Sequence, residues 1–216
     1  MTRARVEILA VVMTGLLNII AYPRYYLLYI ALIGGGWGTY LIYSIYNGRY
    51  GLSTKKTKKT KDAIFSAWKY TTGVAVLILG IAVLFVVRGW LPIRNPTFWR
   101  APFFWLVLLT YPIFGVLQQY IVQGMLTRNL ERVSVASKYR TLCIIGVVAL
   151  LFTIAHCYDI ELAKTSAVLG VVSTWIYLKT HDIMPIGIFH GVFAAVYYYA
   201  VMGRDIGWLF QRGFSA

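Results

Sequence analysis

Long apolar stretches separated by short polar ones dominate the chain. They run unbroken instead of alternating residue by residue, so they match helices rather than the strands of a membrane barrel. Their lengths suit a hydrocarbon core of about 30 Å, which a helix of roughly 20 residues crosses with every backbone group satisfied. Seven spans are predicted, at residues 6–22, 26–46, 70–87, 103–125, 142–156, 165–178 and 183–202. The fold class read from this pattern is all-α, a polytopic transmembrane helix bundle of about seven spans. Tyr22-Pro23-Arg24 is predicted to turn the chain between the first two spans. Ser134-Val135-Ala136-Ser137 is predicted to do so between the fourth and fifth. Gly34-Gly35-Gly36-Trp37-Gly38 has a small-residue spacing that predicts close helix packing.

Composition agrees with this pattern. With 59% hydrophobic and 13% charged residues, a chain of 216 residues has too little polar surface to cover a soluble globule. A formal net charge of +14 raises nucleic acid as a partner, but the basic residues lie between apolar runs and not along one soluble face. Membrane lipids are therefore the expected partners, and no nucleic acid is expected. Arg49, Lys55, Lys56, Lys58, Lys59, Lys61 and Lys69 are opposed only by Asp62, which marks residues 48–69 as a cytoplasmic loop held by anionic headgroups. Arg3 and Arg5 put the N-terminus on the same side, whereas Arg88, Arg94 and Arg100 pull against that orientation. The N-terminal stretch shows no convincing cleavage site and reads as a retained span. Cys143 and Cys157 bracket one apolar run about 21 Å apart along a helix, beyond disulfide reach, and read as free thiols.

Polar side chains inside spans carry the chemical information, because each costs free energy in lipid unless it finds a partner or a wet cavity. Gln118, Gln119 and Gln123 lie in the fourth predicted span, His156 ends the fifth, and His190 sits in the seventh. Gln118 and His156 are equally distant from Ser137, the predicted apex of a helical hairpin, so they should meet at one depth. Gln119 and Gln123 share a helix face, with Gln118 about 100° away. His190 joins them if the last span packs back on that side.

These residues form a pattern that resembles the CPBP family, which contains type II CAAX prenyl endopeptidases and bacterial ABI-type membrane proteins. That family carries Glu-Glu-x-x-x-Arg on one helix, Phe-x-x-x-His at the end of the next, and His-x-x-x-Asn two helices later. Here the first motif reads Gln118-Gln119-Tyr120-Ile121-Val122-Gln123, the second Phe152-Thr153-Ile154-Ala155-His156, and the third His190-Gly191-Val192-Phe193-Ala194. The resemblance covers roughly residues 103–202. It implies an intramembrane endopeptidase acting on membrane-associated or prenylated peptides in the cytoplasmic membrane of a prokaryote. By motif position it implies Gln118, Gln119, Gln123, His156 and His190 as the catalytic set.

The departures matter chemically. In the family a glutamate paired with histidine is thought to activate water, and a glutamine amide cannot accept that proton. Three readings stay open: a pseudoprotease that binds a membrane peptide or partner, a hydrolase that uses His156 or His190 as base, and a structural or transport component. Asp159, Glu161 and Asp182 are the acidic residues nearest these motifs, and an ordinary interfacial setting is expected for them. Two histidines without a third ligand make a poor zinc site, so neither metal nor cofactor is expected. The expected organisation is an N-terminal helical region at residues 1–102 with the basic loop at 48–69. A CPBP-like core at 103–202 and a short tail at 203–216 follow.

Overall fold

In the computed structural model, which describes residues 2–29, 34–46 and 58–206, every regular element is helical and no strand occurs among the described residues. The helices are α1 (Arg3–Tyr29), α2 (Gly35–Tyr46), α3 (Lys58–Val87), α4 (Phe104–Gln119), α5 (Arg128–Val133), α6 (Arg140–Ile154), α7 (Ile160–Thr180) and α8 (Met184–Val196). A 3-10 turn at Phe98–Arg100 precedes α4, and π-helical turns at Tyr120–Thr127 join α4 to α5. A second π-helical stretch, Tyr197–Val201, ends α8.

Three helical runs are long and apolar enough to cross a membrane: Trp68–Val87, Phe104–Val133 and Met184–Val201. α6 is apolar but shorter. Along α3 the apolar residues face outward: Val76, Leu77 and Val87 are 64%, 62% and 76% exposed. Such a stripe is stable only against lipid.

The predicted turn at Tyr22-Pro23-Arg24 is not formed, because α1 continues through it to Tyr29. Proline removes one backbone hydrogen bond, whereas breaking an apolar helix there strands several. Arg49, Lys55 and Lys56 of the basic loop and most of the tail lie outside the described residues. The predicted turn near Ser134 is formed: α5 stops at Val133 and α6 begins at Arg140, whose guanidinium binds Ser134 Oγ and the Glu131 carbonyl.

Close packing occurs elsewhere than at the glycine run. A methyl group added at Gly34, Gly35, Gly36 or Gly38 would meet nothing within 4 Å. At Gly187 it would lie 2.5 Å from Val116 Cα, and at Gly191 2.5 Å from Pro112 Cα. These two glycines, four apart on α8, let the backbones of α4 and α8 nearly touch. Gly170 does the same between α7 and α6, where a methyl would sit 2.9 Å from Ala149 Cα. Two tightly apposed pairs, α4 with α8 and α6 with α7, therefore form the core.

α1 is attached to this core at one end by a buried polar cluster. Glu7 accepts hydrogen bonds from Arg3 Nε at 2.8 Å, Tyr40 Oη at 2.6 Å and Asn129 Nδ2 at 2.7 Å. Glu7 is 6% exposed and Asn129 fully buried. Farther along, α1 presents Val11, Val12, Thr14, Gly15 and Leu16 to the interior.

Candidate functional site

A cavity of about 370 Å³ lies between α1, α4, α6, α7 and α8. Its walls are mostly aliphatic and aromatic, and Gln118, His156 and His190 are among its polar lining groups. A volume of this size and a largely apolar wall with a few polar groups are typical of a ligand site. None of the described residues lining it is Asp, Glu, Lys or Arg.

Gln118 and His156 meet across the α4–α6 hairpin, Nε2 to Nε2 at 3.4 Å. His156 Nδ1 is 2.8 Å from the Phe152 carbonyl oxygen one turn earlier. A carbonyl only accepts, so Nδ1 carries the proton and, in the neutral ring, Nε2 presents its lone pair to the Gln118 amide. The 3.4 Å separation is long for a hydrogen bond, which leaves that lone pair weakly engaged.

Gln119 and His190 form a second pair, amide Nε2 to imidazole Nδ1 at 3.4 Å. An amide nitrogen only donates, so the neutral His190 ring accepts at Nδ1 and keeps its proton on Nε2. Gln119 is fully buried and His190 is 7% exposed. Their meeting follows from the glycines: Gly187 and Gly191 flank His190 and bring its backbone against α4. Phe152 lies against both imidazoles, with ring centroids 4.8 Å from His156 and 5.7 Å from His190. It is 4% exposed and restricts where either ring can turn.

Gln123 stands apart. Its Nε2 donates to Ser173 Oγ and Thr174 Oγ1, each at 3.2 Å, and its Oε1 accepts from Thr127 Oγ1 at 2.8 Å. Fully buried and fully partnered, it joins α7 to the π-helical turns and does not line the cavity. Ala194, at the position of the family's asparagine, lines the cavity but offers only a methyl group.

The acidic residues near the site are engaged elsewhere. Asp159 caps α7 by accepting from the amides of Glu161 at 3.0 Å and Leu162 at 3.2 Å, and it pairs with Arg204 at 2.5 Å. Burial pushes its carboxyl up, but the Leu162 amide, the Arg204 guanidinium and the Glu161 amide outweigh that and hold it below the ordinary carboxylate range. Glu161 pairs with Lys164 at 3.1 Å. Asp182 accepts from the Met184 amide at 3.0 Å in the turn before α8.

Two features escape the motif reading. The α1 wall comes from outside the resembling segment, and no residue pattern in the first span points to the cavity. Glu7 had a signal, a lone acid at the head of an apolar run, whose partner Asn129 lies too far along the chain to infer. Tyr197 and Tyr198, expected to pack, also line the cavity, whereas Tyr120 and Tyr199 are buried in the core.

Residues 99–196 match the family model described as Type II CAAX prenyl endopeptidase Rce1-like. The matched segment contains Gln118, Gln119, His156 and His190 and leaves out α1, α2 and α3. No curated protein and no solved structure matches the chain.

Proposed function

We propose that this CAAX-protease-like membrane protein holds a membrane-associated or lipidated peptide in its cavity without hydrolysing it. The observation that carries the reading is the pairing of Gln118 with His156 and of Gln119 with His190 in a cavity whose described walls bear no carboxylate. Two amides and two neutral imidazoles offer donors and acceptors suited to a peptide group, and the apolar walls suit an acyl or prenyl chain or a helical segment. Without a carboxylate, the usual route for removing a proton from water is missing. Residues 103–202 would supply the polar groups, residues 1–102 a wall, and the cytoplasmic membrane of a prokaryote the setting.

A second reading is favoured by one observation, the weakly engaged lone pair on His156 Nε2. That nitrogen can serve as a general base, with Gln118 positioning water or substrate.

Purified protein in lipid nanodiscs, offered a photoreactive prenylated peptide, separates the two. The binding reading expects capture that Gln118→Ala or His190→Ala weakens, with no cleavage even at excess protein. It also expects cleavage to appear in the double variant Gln118→Glu/Gln119→Glu. Turnover by the unaltered protein, abolished by His156→Ala, would overturn it in favour of hydrolysis.

A further inference from the structure

Behind His190, on the side away from the main cavity, lies a void of about 10 Å³ among Thr71 of α3, Gln119, Ser173 and His190, closed by Leu169, Val172, Ile176, Ile186 and Phe189. Thr71 Oγ1 and Gln119 Oε1, both on its wall, are buried polar atoms with no hydrogen-bond partner. Thr71 is 4% exposed and Gln119 fully buried. Orphaned polar atoms at this depth cost about 1–3 kcal/mol each, and native structures satisfy nearly all of them. Ser173 Oγ donates to the Leu169 carbonyl at 2.5 Å and accepts from Gln123 at 3.2 Å, which leaves it one lone pair.

A void that admits one water sphere and is walled by two to four polar partners is the condition for an ordered internal water. We infer that this void is a water-binding site and that Thr71, through that water, is a positioning residue for the Gln119–His190 pair. The hydrogen-bond inventory balances: the Thr71 hydroxyl donates to the water, and the water donates to Gln119 Oε1 and to the free lone pair of Ser173. The consequence reaches the main cavity. A Gln119 amide whose oxygen is held by the water must turn its nitrogen to His190 Nδ1, and that selects the tautomer protonated at Nε2. Without the water the amide gains by reversing, so that its oxygen accepts from Nδ1–H. Thr71 thus lets a helix outside the family-matched segment determine which imidazole nitrogen carries the proton. The inference rests on the pair's geometry and not on what the cavity binds, so it survives if the peptide-binding reading fails.

The test uses the full-length protein in nanodiscs. A structure resolving ordered solvent is expected to show a water within hydrogen-bonding distance of Thr71 Oγ1 and Gln119 Oε1. Side-chain 15N spectra of the histidines, assigned with His156→Asn and His181→Asn, are expected to show His190 protonated at Nε2. In Thr71→Val the Nδ1-protonated fraction of His190 should rise by about three- to tenfold, as loss of one net hydrogen bond allows. Thr71→Ser should restore the original spectrum. Absence of the water from a solvent-resolving structure, Nδ1 protonation in the unaltered protein, or an unchanged spectrum in folded Thr71→Val would each overturn the inference.

Discussion

Replacing Gly191 by alanine tests the packing that brings His190 to Gln119. The added methyl would sit 2.5 Å from both Pro112 Cα and the Tyr111 carbonyl oxygen. Both are backbone atoms that cannot rotate aside. Ordinary contact begins near 3.4 Å, so α4 and α8 must part by about 0.9 Å. Overpacking of this kind costs about 1–3 kcal/mol. Removing a helical glycine returns about 0.5–1 kcal/mol. A net loss of roughly 0.5–2 kcal/mol is therefore expected. The same parting lengthens the Gln119–His190 contact beyond its present 3.4 Å and out of hydrogen-bonding range. Gly146 of α6 is the control, because a methyl there meets nothing within 4 Å and only the propensity gain remains. Thermal unfolding in one detergent, followed by circular dichroism, should place Gly191→Ala below the unaltered protein and Gly146→Ala at or above it. If Gly191→Ala melts as high as Gly146→Ala, the two helices are not in the backbone contact described and the placement of His190 needs another cause.

Other consequences are as direct. Glu7→Ala should destabilise the protein by about 1–3 kcal/mol, since it strands the buried Asn129 amide, and Glu7→Gln should cost less; thermal melts of the two variants decide this. The Asp159 carboxyl is held below its ordinary range when folded, so the stability it contributes is present above that range and is lost as pH falls through the depressed value. Melting temperature compared between unaltered protein and Asp159→Asn should therefore converge in acid and diverge by under about 1 kcal/mol at neutral pH, because Arg204 is 53% exposed. In a Cys143→Ser/Cys157→Ser background, Gly15→Cys/Ala155→Cys should form a disulfide on mild oxidation, since a methyl on Gly15 lies 3.8 Å from Ala155 Cβ. Mass spectrometry after alkylation reads the bond, and persistent free thiols would show that α1 does not wall the cavity beside His156.

Helical class and the α4–α6 hairpin were legible because lipid permits few alternatives: an apolar run must be a helix, and a polar break of suitable composition must turn it. The depth match between Gln118 and His156 followed from counting along that hairpin, and the two side chains lie 3.4 Å apart. The meeting of Gln119 with His190 was conditional in the sequence, because it depends on which side of α4 the last helix packs. Gly115, Gly187 and Gly191 decide that, and no periodicity distinguished them from the glycines at 34–38 that touch nothing. Pro23 misled because proline in water ends helices, whereas in an apolar stretch the remaining backbone bonds outweigh the one it removes. Gln123 shared a face with Gln119 but found Ser173, Thr174 and Thr127, hydroxyl partners whose positions depend on how α7 packs.

The π-helical turns at Tyr120–Thr127 have an evolutionary corollary. Such a widening amounts to one surplus residue threaded into an otherwise regular α-helix. Excising any one residue there would heal the ladder while swinging everything downstream through about 100°, carrying Asn129 off Glu7 yet leaving Gln118 and Gln119 untouched. Single-residue deletions in this stretch are thus a way for descendants to loosen the first helix from the bundle without altering a polar group of the cavity.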